Sequence, residues 1–367
     1  MTSFASIPKT VVTFLVLFFS LLVLADTTND FSVNEDPFRF DLSLLAYKSQ
    51  NISTLHMNNR ILKGPLKGEE LDSSEKRPTV IVHQDGDRWI IANFHHIDKF
   101  YFASIPVNEV ENTFFNIVKF MPGAAHAMLR FKMKKGKYVT LLAEGPSEDE
   151  FKKGITVKPL ERPILLSDIF LSVESTWTKG RDGYELHRIF KGHYVNTFRM
   201  VSLATRAMTY YRDDTVPTEQ VKTNFSFEES SEALKRSIEL SDKYGQFRPY
   251  NLFKRNCATE VFEVIDFVTN KFRSGAKATG IKERYHRMLN RFVGFVRFYP
   301  LLSKYVLVWA GLTEGKGRVT NLELEAENGP IYKLEKERQD FNRAEEIRMK
   351  RALCLKVYEP ATVTASQ

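Results

Sequence analysis

Alternating apolar and polar positions predict β-strands in the first third of the chain. Residues 79–82 and 89–94 are rich in β-branched and aromatic side chains, and the turn signal Gln84-Asp85-Gly86-Asp87 separates the two runs. This pattern predicts a β-hairpin. Residues 107–120 differ, because their apolar residues recur at helical spacing and predict a short helix.

Residues 126–144 carry the clearest hairpin pattern. The sequence Lys-Lys-Gly-Lys at 134–137 is a turn signal between two strands whose side chains alternate. On the first strand Ala127, Leu129, Phe131 and Met133 share the apolar face. His126 is therefore expected on the other face, away from the core.

Two helix patterns follow in the second half of the chain. Residues 184–203 look extended, and residues 228–244 then predict a helix that either Ser226 or Ser230 is suited to cap. The next helix is predicted to begin at Cys257, because Asn256 is a good N-cap residue. The apolar residues after Cys257 recur at i, i+3, i+4, i+7 and i+10 along one stripe.

Residues 292–312 are apolar over a length sufficient to span a membrane. Arg297, Pro300 and Lys304 interrupt this stretch, and each charge at the centre of a membrane helix costs about 2.5–3.5 kcal/mol. We therefore expect a buried or membrane-surface element. A highly charged, solvated helix is expected at residues 332–351.

A secretory signal peptide is predicted over residues 1–25. Lys9 precedes an apolar run that is shorter than the about 20 residues needed to span a bilayer, and Val23 and Ala25 fit a small-x-small cleavage pattern. We expect a periplasmic or secreted protein, with membrane association left open. The remaining chain divides into a β-rich segment at 26–105, a domain carrying Cys257 at 106–280 and a partly apolar helical extension at 281–367.

Charge and motifs exclude several function classes. The net charge of +8 suits nucleic acid, anionic lipid or acidic cell-wall material. No nucleic-acid motif occurs and the basic residues are dispersed, so no nucleic-acid partner is expected. The chain also lacks HExxH, CxxC, a phosphate-binding glycine loop and GxSxG. We therefore expect neither a metal nor another cofactor.

Cys257 is a candidate nucleophile, because the N-terminus of a helix favours the thiolate. The candidate base is His126, and backbone N–H groups at the helix start are suited to hold an oxyanion. His193 is the chief rival to His126. The competing interpretation of Cys257 is a disulfide with Cys354, the second of the two cysteines, as expected for an exported protein.

Three segments carry a resemblance to a known family. They are residues 122–131 (Pro-Gly-Ala-Ala-His-Ala-Met-Leu-Arg-Phe), residues 190–194 (Phe-Lys-Gly-His-Tyr) and the Asn-Cys block at residues 250–265. Together they resemble the Lnb N-terminal periplasmic domain family, which is related to circularly permuted papain-like enzymes of the NlpC type. The resemblance covers roughly residues 110–275. The chain departs from the family in having its glycine displaced to Gly123 and in lacking several membrane spans.

The resemblance implies an α+β fold with a permuted papain-like core, an antiparallel sheet and a helix that carries the cysteine. The β-rich N-terminal and helical C-terminal segments would then be extensions. It also implies that Cys257 is the nucleophile, His126 the base and Asn256 a positioning or capping residue in thioester-based acyl transfer or hydrolysis. Expected substrates are an envelope lipid, a lipoprotein or a peptide, with peripheral membrane contact. The alternative is a non-catalytic envelope binding protein whose Cys257 is inert or bonded to Cys354.

Overall fold

The computed structural model describes residues 66–74, 76–121, 124–147, 149–150, 153, 157–180, 193–206, 218–245, 248–251, 255–273 and 300–313. The predicted signal peptide, the predicted helix at 332–351 and Cys354 lie outside these residues.

Eleven strands form one sheet, on which three helices of the described chain pack. The strands are β1 (Val80–Asp85), β2 (Arg88–His96), β3 (Lys99–Pro106), β4 (Val110–Met121), β5 (Ala124–Met133), β6 (Val139–Glu144), β7 (Lys158–Leu166), β8 (Asp168–Thr176), β9 (Val195–Ser202), β10 (Thr218–Lys222) and β11 (Arg248–Pro249). The helices are α1 (Phe227–Tyr244), α2 (Cys257–Arg273) and α3 (Pro300–Trp309).

The strand order of the sheet is β10-β4-β5-β8-β9-β2-β3-β6-β7. In addition, β1 pairs with the first half of β2, and β11 pairs with the start of β9. The described pairs are antiparallel except for β2 and β9, which meet in a parallel sense at His95 and Val201. The protein is thus a mixed α and β structure built on a large mixed sheet, and the antiparallel sheet expected from the sequence contains one parallel junction.

One face of the sheet carries the main hydrophobic core, because the three helices bury their apolar sides against it. At its centre the rings of Phe115 on β4 and Phe262 on α2 lie 5.7 Å apart between centroids. A smaller buried cluster occupies the opposite face, and its members are Val118, Met128, Phe170 and Val201. The sheet is therefore buried on both faces around β5 and β8.

Local signals placed the first of the helices correctly. Ser226 Oγ accepts the backbone N–H of Glu229 at 3.2 Å, and Glu229 Oε2 accepts the N–H of Ser226 at 2.8 Å. This reciprocal pair is a capping box. The predicted helix is confirmed, and Ser226 rather than Ser230 is its cap.

The hairpin predicted for residues 79–94 is confirmed by the antiparallel pairing of β1 and β2. Gly86 in its turn has a φ of 41°, in the left-handed region that glycine adopts readily. These strands and β3 belong to the same sheet as β4 to β10. The boundary predicted between residues 105 and 106 falls inside β3, one residue before its end at Pro106.

The short helix predicted for residues 107–120 is wrong, because Val110–Met121 forms the strand β4. Phe115 and Ile117 belong to the main core, whereas Val118 belongs to the cluster on the opposite face. A strand buried on both faces has no regular polar alternation. Its apolar residues therefore also matched helical spacing.

The second predicted hairpin is only partly correct. β5 and β6 are strands, and the turn between them is closed by a hydrogen bond from Lys137 N–H to the carbonyl of Lys134 at 2.9 Å. The two strands do not pair, because β5 lies between β4 and β8 while β6 lies between β3 and β7. Alternation identifies the buried face of a strand but not its neighbour.

Part of the apolar stretch at 292–312 forms α3. No helix among the described residues is both long and apolar enough to cross a bilayer.

Candidate functional site

Asn256 begins helix α2 and thereby fixes the position of Cys257. Its side-chain Oδ1 accepts the backbone N–H groups of Ala258 at 2.9 Å and Thr259 at 3.0 Å. In return, Thr259 Oγ1 accepts the N–H of Asn256 at 2.8 Å. These bonds satisfy N–H groups that the first turn of a helix leaves without partners. Cys257 is consequently the first helical residue, and its thiol is free.

The thiol lies where β5 and β8 separate. β5 pairs with β4 along its whole length, back to its first residue, Ala124. Its pairing with β8 stops earlier, at Met128 and Ser172. Helix α2 packs on both strands beside this gap. Cys257 is 7% exposed, and the backbone N–H of Ala127 lies close enough to its sulfur to act to lower the pKa of the thiol. Because that nitrogen is bonded to the carbonyl carbon of His126, the sulfur lies next to the His126 backbone.

A chain of hydrogen bonds joins His126 to Glu174 through Ser172. His126 Nε2 lies 2.8 Å from Ser172 Oγ, and Ser172 Oγ donates to Glu174 Oε1 at 2.9 Å. Since a serine hydroxyl has a single proton, Ser172 must accept the Nε2–H of His126. Nδ1 is therefore the basic nitrogen of the neutral ring.

Three cations surround the carboxylate of Glu174. Arg199 Nη1 lies 2.9 Å from Oε2, Arg206 also donates to the carboxylate, and Lys76 Nζ lies 3.6 Å away. Burial acts to raise the pKa of Glu174, but the attraction of these cations outweighs it and holds the pKa well below its usual range. Ser172 therefore donates to a group that remains charged at neutral pH.

His126 and Cys257 are both neutral at pH 7, and burial moves the pKa of each further from 7. Desolvation lowers the pKa of His126 from 6.5 to about 3, although the charge of Glu174 acts to raise it. Desolvation raises the pKa of Cys257 from 9.0 to about 11, although N–H groups of Ala127 and Ala258 act to lower it. The sequence predicted a thiolate at the helix start. That expectation is wrong for the resting site, because burial outweighs the N–H groups.

The two side chains approach the gap from opposite sides of β5. The side chain of Ala127 lies in the main core, on the side of α2, so the His126 side chain leaves the strand on the opposite face. The ring bonds to Ser172, and no hydrogen bond between His126 and Cys257 forms among the described residues. Direct proton transfer between them requires the imidazole to turn toward the gap.

His193, the rival base, lies just before β9 and is half-buried. Its Nδ1 is buried without a hydrogen-bond partner among the described residues, and no described hydrogen bond or ion pair links it to Cys257. Of the two candidate bases, it is the backbone of His126 that lies beside the thiol.

Ser172 and Glu174 were missed by the sequence prediction. Both lie on β8, where they alternate with the buried apolar residues Leu171 and Val173. Polar residues at i and i+2 on a strand that is otherwise buried are a signal that the sequence contains. Their link to His126 depends on the pairing of β5 with β8, which no local pattern specifies.

Comparison of the chain with protein-family models, with curated proteins and with solved structures gives no match in any of the three. The resemblance to the Lnb family therefore stays a prediction from the residues quoted above. Within the part of the chain that the structure describes, no group of three or more His, Cys, Asp or Glu side chains is arranged to hold a metal ion.

Proposed function

We propose that this chain is a cysteine-dependent acyltransferase or hydrolase that forms a thioester at Cys257. The observation that carries the proposal is the position of the thiol beside the backbone of His126, whose ring is oriented by Ser172 and Glu174. This orientation leaves Nδ1 free to accept a proton. A nucleophile, a base and a group that orients the base are the parts that thiol catalysis needs.

In the acylation step, the sulfur of Cys257 attacks the acyl carbonyl carbon while its proton moves to Nδ1 of His126. The N–H groups of Cys257 and Ala127 face the sulfur and are not those that Asn256 accepts, so they are suited to stabilise the oxyanion. His126 returns the proton to the leaving group as its bond to the acyl carbon breaks. Water or an amine then attacks the thioester, its proton passes through His126 to the sulfur, and the free thiol is restored.

The neutral resting pair requires general-base catalysis rather than a preformed thiolate. Such proton transfer contributes typically about 10²–10⁴-fold to rate. The imidazolium that forms is stabilised by the charge of Glu174, which already acts on His126 in the resting site. Ser172 joins the ring to that carboxylate in the resting site, and the imidazole turns from this position toward the gap before the proton moves.

The substrate class in this proposal comes from the resemblance to the Lnb family and from the predicted export. It is an acyl donor of the cell envelope, such as a lipid, a lipoprotein or a peptide, and the core would be of the permuted papain-like type.

A second candidate function is a non-catalytic envelope binding protein. Two observations favour it: the pKa of Cys257 is raised to about 11, and Cys257 has no described hydrogen bond with His126. Buried cysteines with raised pKa values are usually unreactive. The thiol of Cys257 is free in the structure, and Cys354 lies outside the described residues. This candidate therefore keeps both of its forms, with Cys257 inert or bonded to Cys354.

Acylation by p-nitrophenyl acetate and p-nitrophenyl octanoate separates the two candidates. In a Cys354→Ser chain, we expect intact mass to show one acyl adduct that neutral hydroxylamine removes, since hydroxylamine cleaves thioesters. His126→Gln should slow its formation at least about 100-fold, and Cys257→Ser should abolish the hydroxylamine-sensitive adduct. The matched control is His83→Gln on β1. Two results would exclude the proposed chemistry. One is a chain that acquires no adduct with either ester, and the other is a His126→Gln chain that acquires the adduct as fast as the unchanged chain.

A further inference from the structure

Exposed apolar side chains gather on the three helices of the described chain. Phe227 is the first residue of α1, Phe272 lies in the last turn of α2, and Leu302, Tyr305 and Val308 lie on α3. Their exposed fractions run from 38% to 54%, and no other large apolar side chain among the described residues is exposed to this degree. These five residues are called the helical apolar surface below.

Hydrogen bonds hold the three helix ends together at one corner of the molecule. Asn224, just before α1, donates its backbone N–H to the carbonyl of Leu312 at 3.0 Å and its side-chain amide to Gly311 at 2.6 Å, just beyond α3. Arg273 at the end of α2 donates to the carbonyl of Asn224 at 3.2 Å and to Glu229 at 2.6 Å. The exposed apolar side chains on α1 and α2 are thus held beside the end of α3.

Helix α3 is apolar on two sides. Val306 and Leu307 are buried in the main core, while the exposed apolar residues lie on its outward side. Lys304 is its only charged residue. A helix that is apolar all round is normally covered all round. The outward side of α3 is therefore suited to contact an apolar partner other than the protein core.

The charges near the exposed aromatic residues indicate which apolar partner this is. A lysine ammonium lies 5.2–5.6 Å from the ring centroid of each exposed aromatic residue; the pairs are Lys134 with Phe227, Lys271 with Phe272 and Lys304 with Tyr305. Aromatic rings with neighbouring lysines are typical of the interface between water and a bilayer. These lysines also pair with glutamates, so their charge is locally balanced.

The excess positive charge lies in the sequence that joins α2 to α3. Residues 274–299 contain six Lys or Arg and one Glu, a difference of five positive charges. In the sequence this segment follows Arg273, the last residue of α2, and precedes Pro300, the first residue of α3. Basic residues joined in sequence to an apolar surface are attracted to anionic lipid headgroups, each by about 1 kcal/mol when it lies near the membrane. The charge is complementary to an anionic bilayer and offers no attraction to a second copy of this basic chain.

We propose that the helical apolar surface docks on the anionic phospholipid surface of a membrane, with its aromatic rings at the level of the headgroups. The lysines near the rings reach the phosphates, and Leu302 and Val308 contact the outer part of the acyl chains. This docking is independent of the thiol chemistry proposed for Cys257.

Flotation of the full chain with lipid vesicles tests the proposal. The chain should float with vesicles of phosphatidylcholine mixed with phosphatidylglycerol, and weakly or not at all with phosphatidylcholine alone. Added salt should lower the bound fraction, because it screens the headgroup attraction. Phe272→Ser and Tyr305→Ser should each lower the partition coefficient roughly three- to tenfold, since about half of each ring is available for burial.

The matched control is Leu165→Ser on β7, at the edge of the sheet opposite β10, and it should bind as the unchanged chain does. Cys257→Ser should also bind normally, which separates this test from that of the acyl chemistry. Equal binding by Phe272→Ser and Tyr305→Ser would overturn the proposal. A dimer of the unchanged chain in light scattering, with a monomer for Tyr305→Ser, would also overturn it. The surface would then be an interface between two copies.

Discussion

Cys257 should titrate as a thiol of high pKa despite its place at a helix N-terminus. Cys354→Ser leaves Cys257 as the only thiol of the chain, so its alkylation can be followed alone. The perturbation is then pH, varied from neutral to strongly alkaline. Between these limits, the rate of alkylation reports the fraction of the sulfur present as thiolate.

The expected magnitude follows from the burial of the sulfur. A rise in the pKa of Cys257 from 9.0 to about 11 lowers the thiolate fraction at neutral pH about 100-fold. The more basic thiolate is also more nucleophilic, and a Brønsted coefficient near 0.4–0.5 recovers roughly six- to tenfold. The alkylation at pH 7 should therefore be about tenfold slower than that of an unperturbed cysteine, and slower again because the sulfur is poorly accessible.

Iodoacetamide labelling followed by intact mass provides the assay. The rate should rise about tenfold for each pH unit and level off only near pH 11. His126→Gln should leave this profile unchanged, because His126 is neutral over the whole range. A rate that levels off below about pH 8.5, the pKa of a free thiol, would refute the neutral pair. It would show instead that the resting site holds a thiolate and an imidazolium.

Three further changes test the site and its surroundings. The folded pKa of His126 lies below its unfolded value of 6.5, so stability is present above pH 6.5 and is lost as pH falls toward about 3. Between pH 7 and about pH 5.5, the free energy of unfolding measured in urea should fall by about 1.3 kcal/mol less in His126→Gln than in the unchanged chain. An equal fall in both chains would contradict the lowered pKa of His126. Ser172→Ala should slow acylation about tenfold or more and cost about 1–2 kcal/mol of stability, with Ser172→Thr as the control that keeps the hydroxyl. If Ser172→Ala acylates normally, Ser172 does not orient the base. Burial acts to raise the pKa of Glu219, but hydrogen bonds from Lys119 and Lys304 outweigh it and lower the pKa. Stability from this group is present above pH 4.5 and is lost as pH falls through the lowered pKa. Glu219→Gln should cost about 1.5–3 kcal/mol at neutral pH, and a urea midpoint equal to that of the unchanged chain would show that Glu219 does not anchor α3 through Lys304.

The parts of the fold that depend on neighbouring residues were predictable from the sequence. Ser226 and Glu229 specify the start of α1 through their own side chains, and Asn256 does the same for α2. The β1–β2 hairpin was also predictable, because its turn and both strands are adjacent in the chain.

The parts that depend on distant residues were not predictable in this way. β4 was taken for a helix because it is buried on both faces, and the neighbours of β5 come from β4 and β8 rather than from the next strand. For the site, the sequence identified Asn256 as the cap of the Cys257 helix. It did not identify Ser172 and Glu174, nor the raised pKa of the thiol, because each depends on which strands and helices enclose them.

The junction of β2 with β9 has a consequence for the folding and expression of the chain. β9 pairs with β2, which lies about a hundred residues earlier in the chain. A hydrogen bond between Ser202 on β9 and His96 at the end of β2 strengthens this junction. Long-range pairing of this kind makes folding slow and leaves strand edges exposed meanwhile. A chain that begins after residue 105 would lack β2 and leave β9 with an open edge, which invites aggregation. Successful expression therefore depends on keeping the two halves of the sheet in one polypeptide.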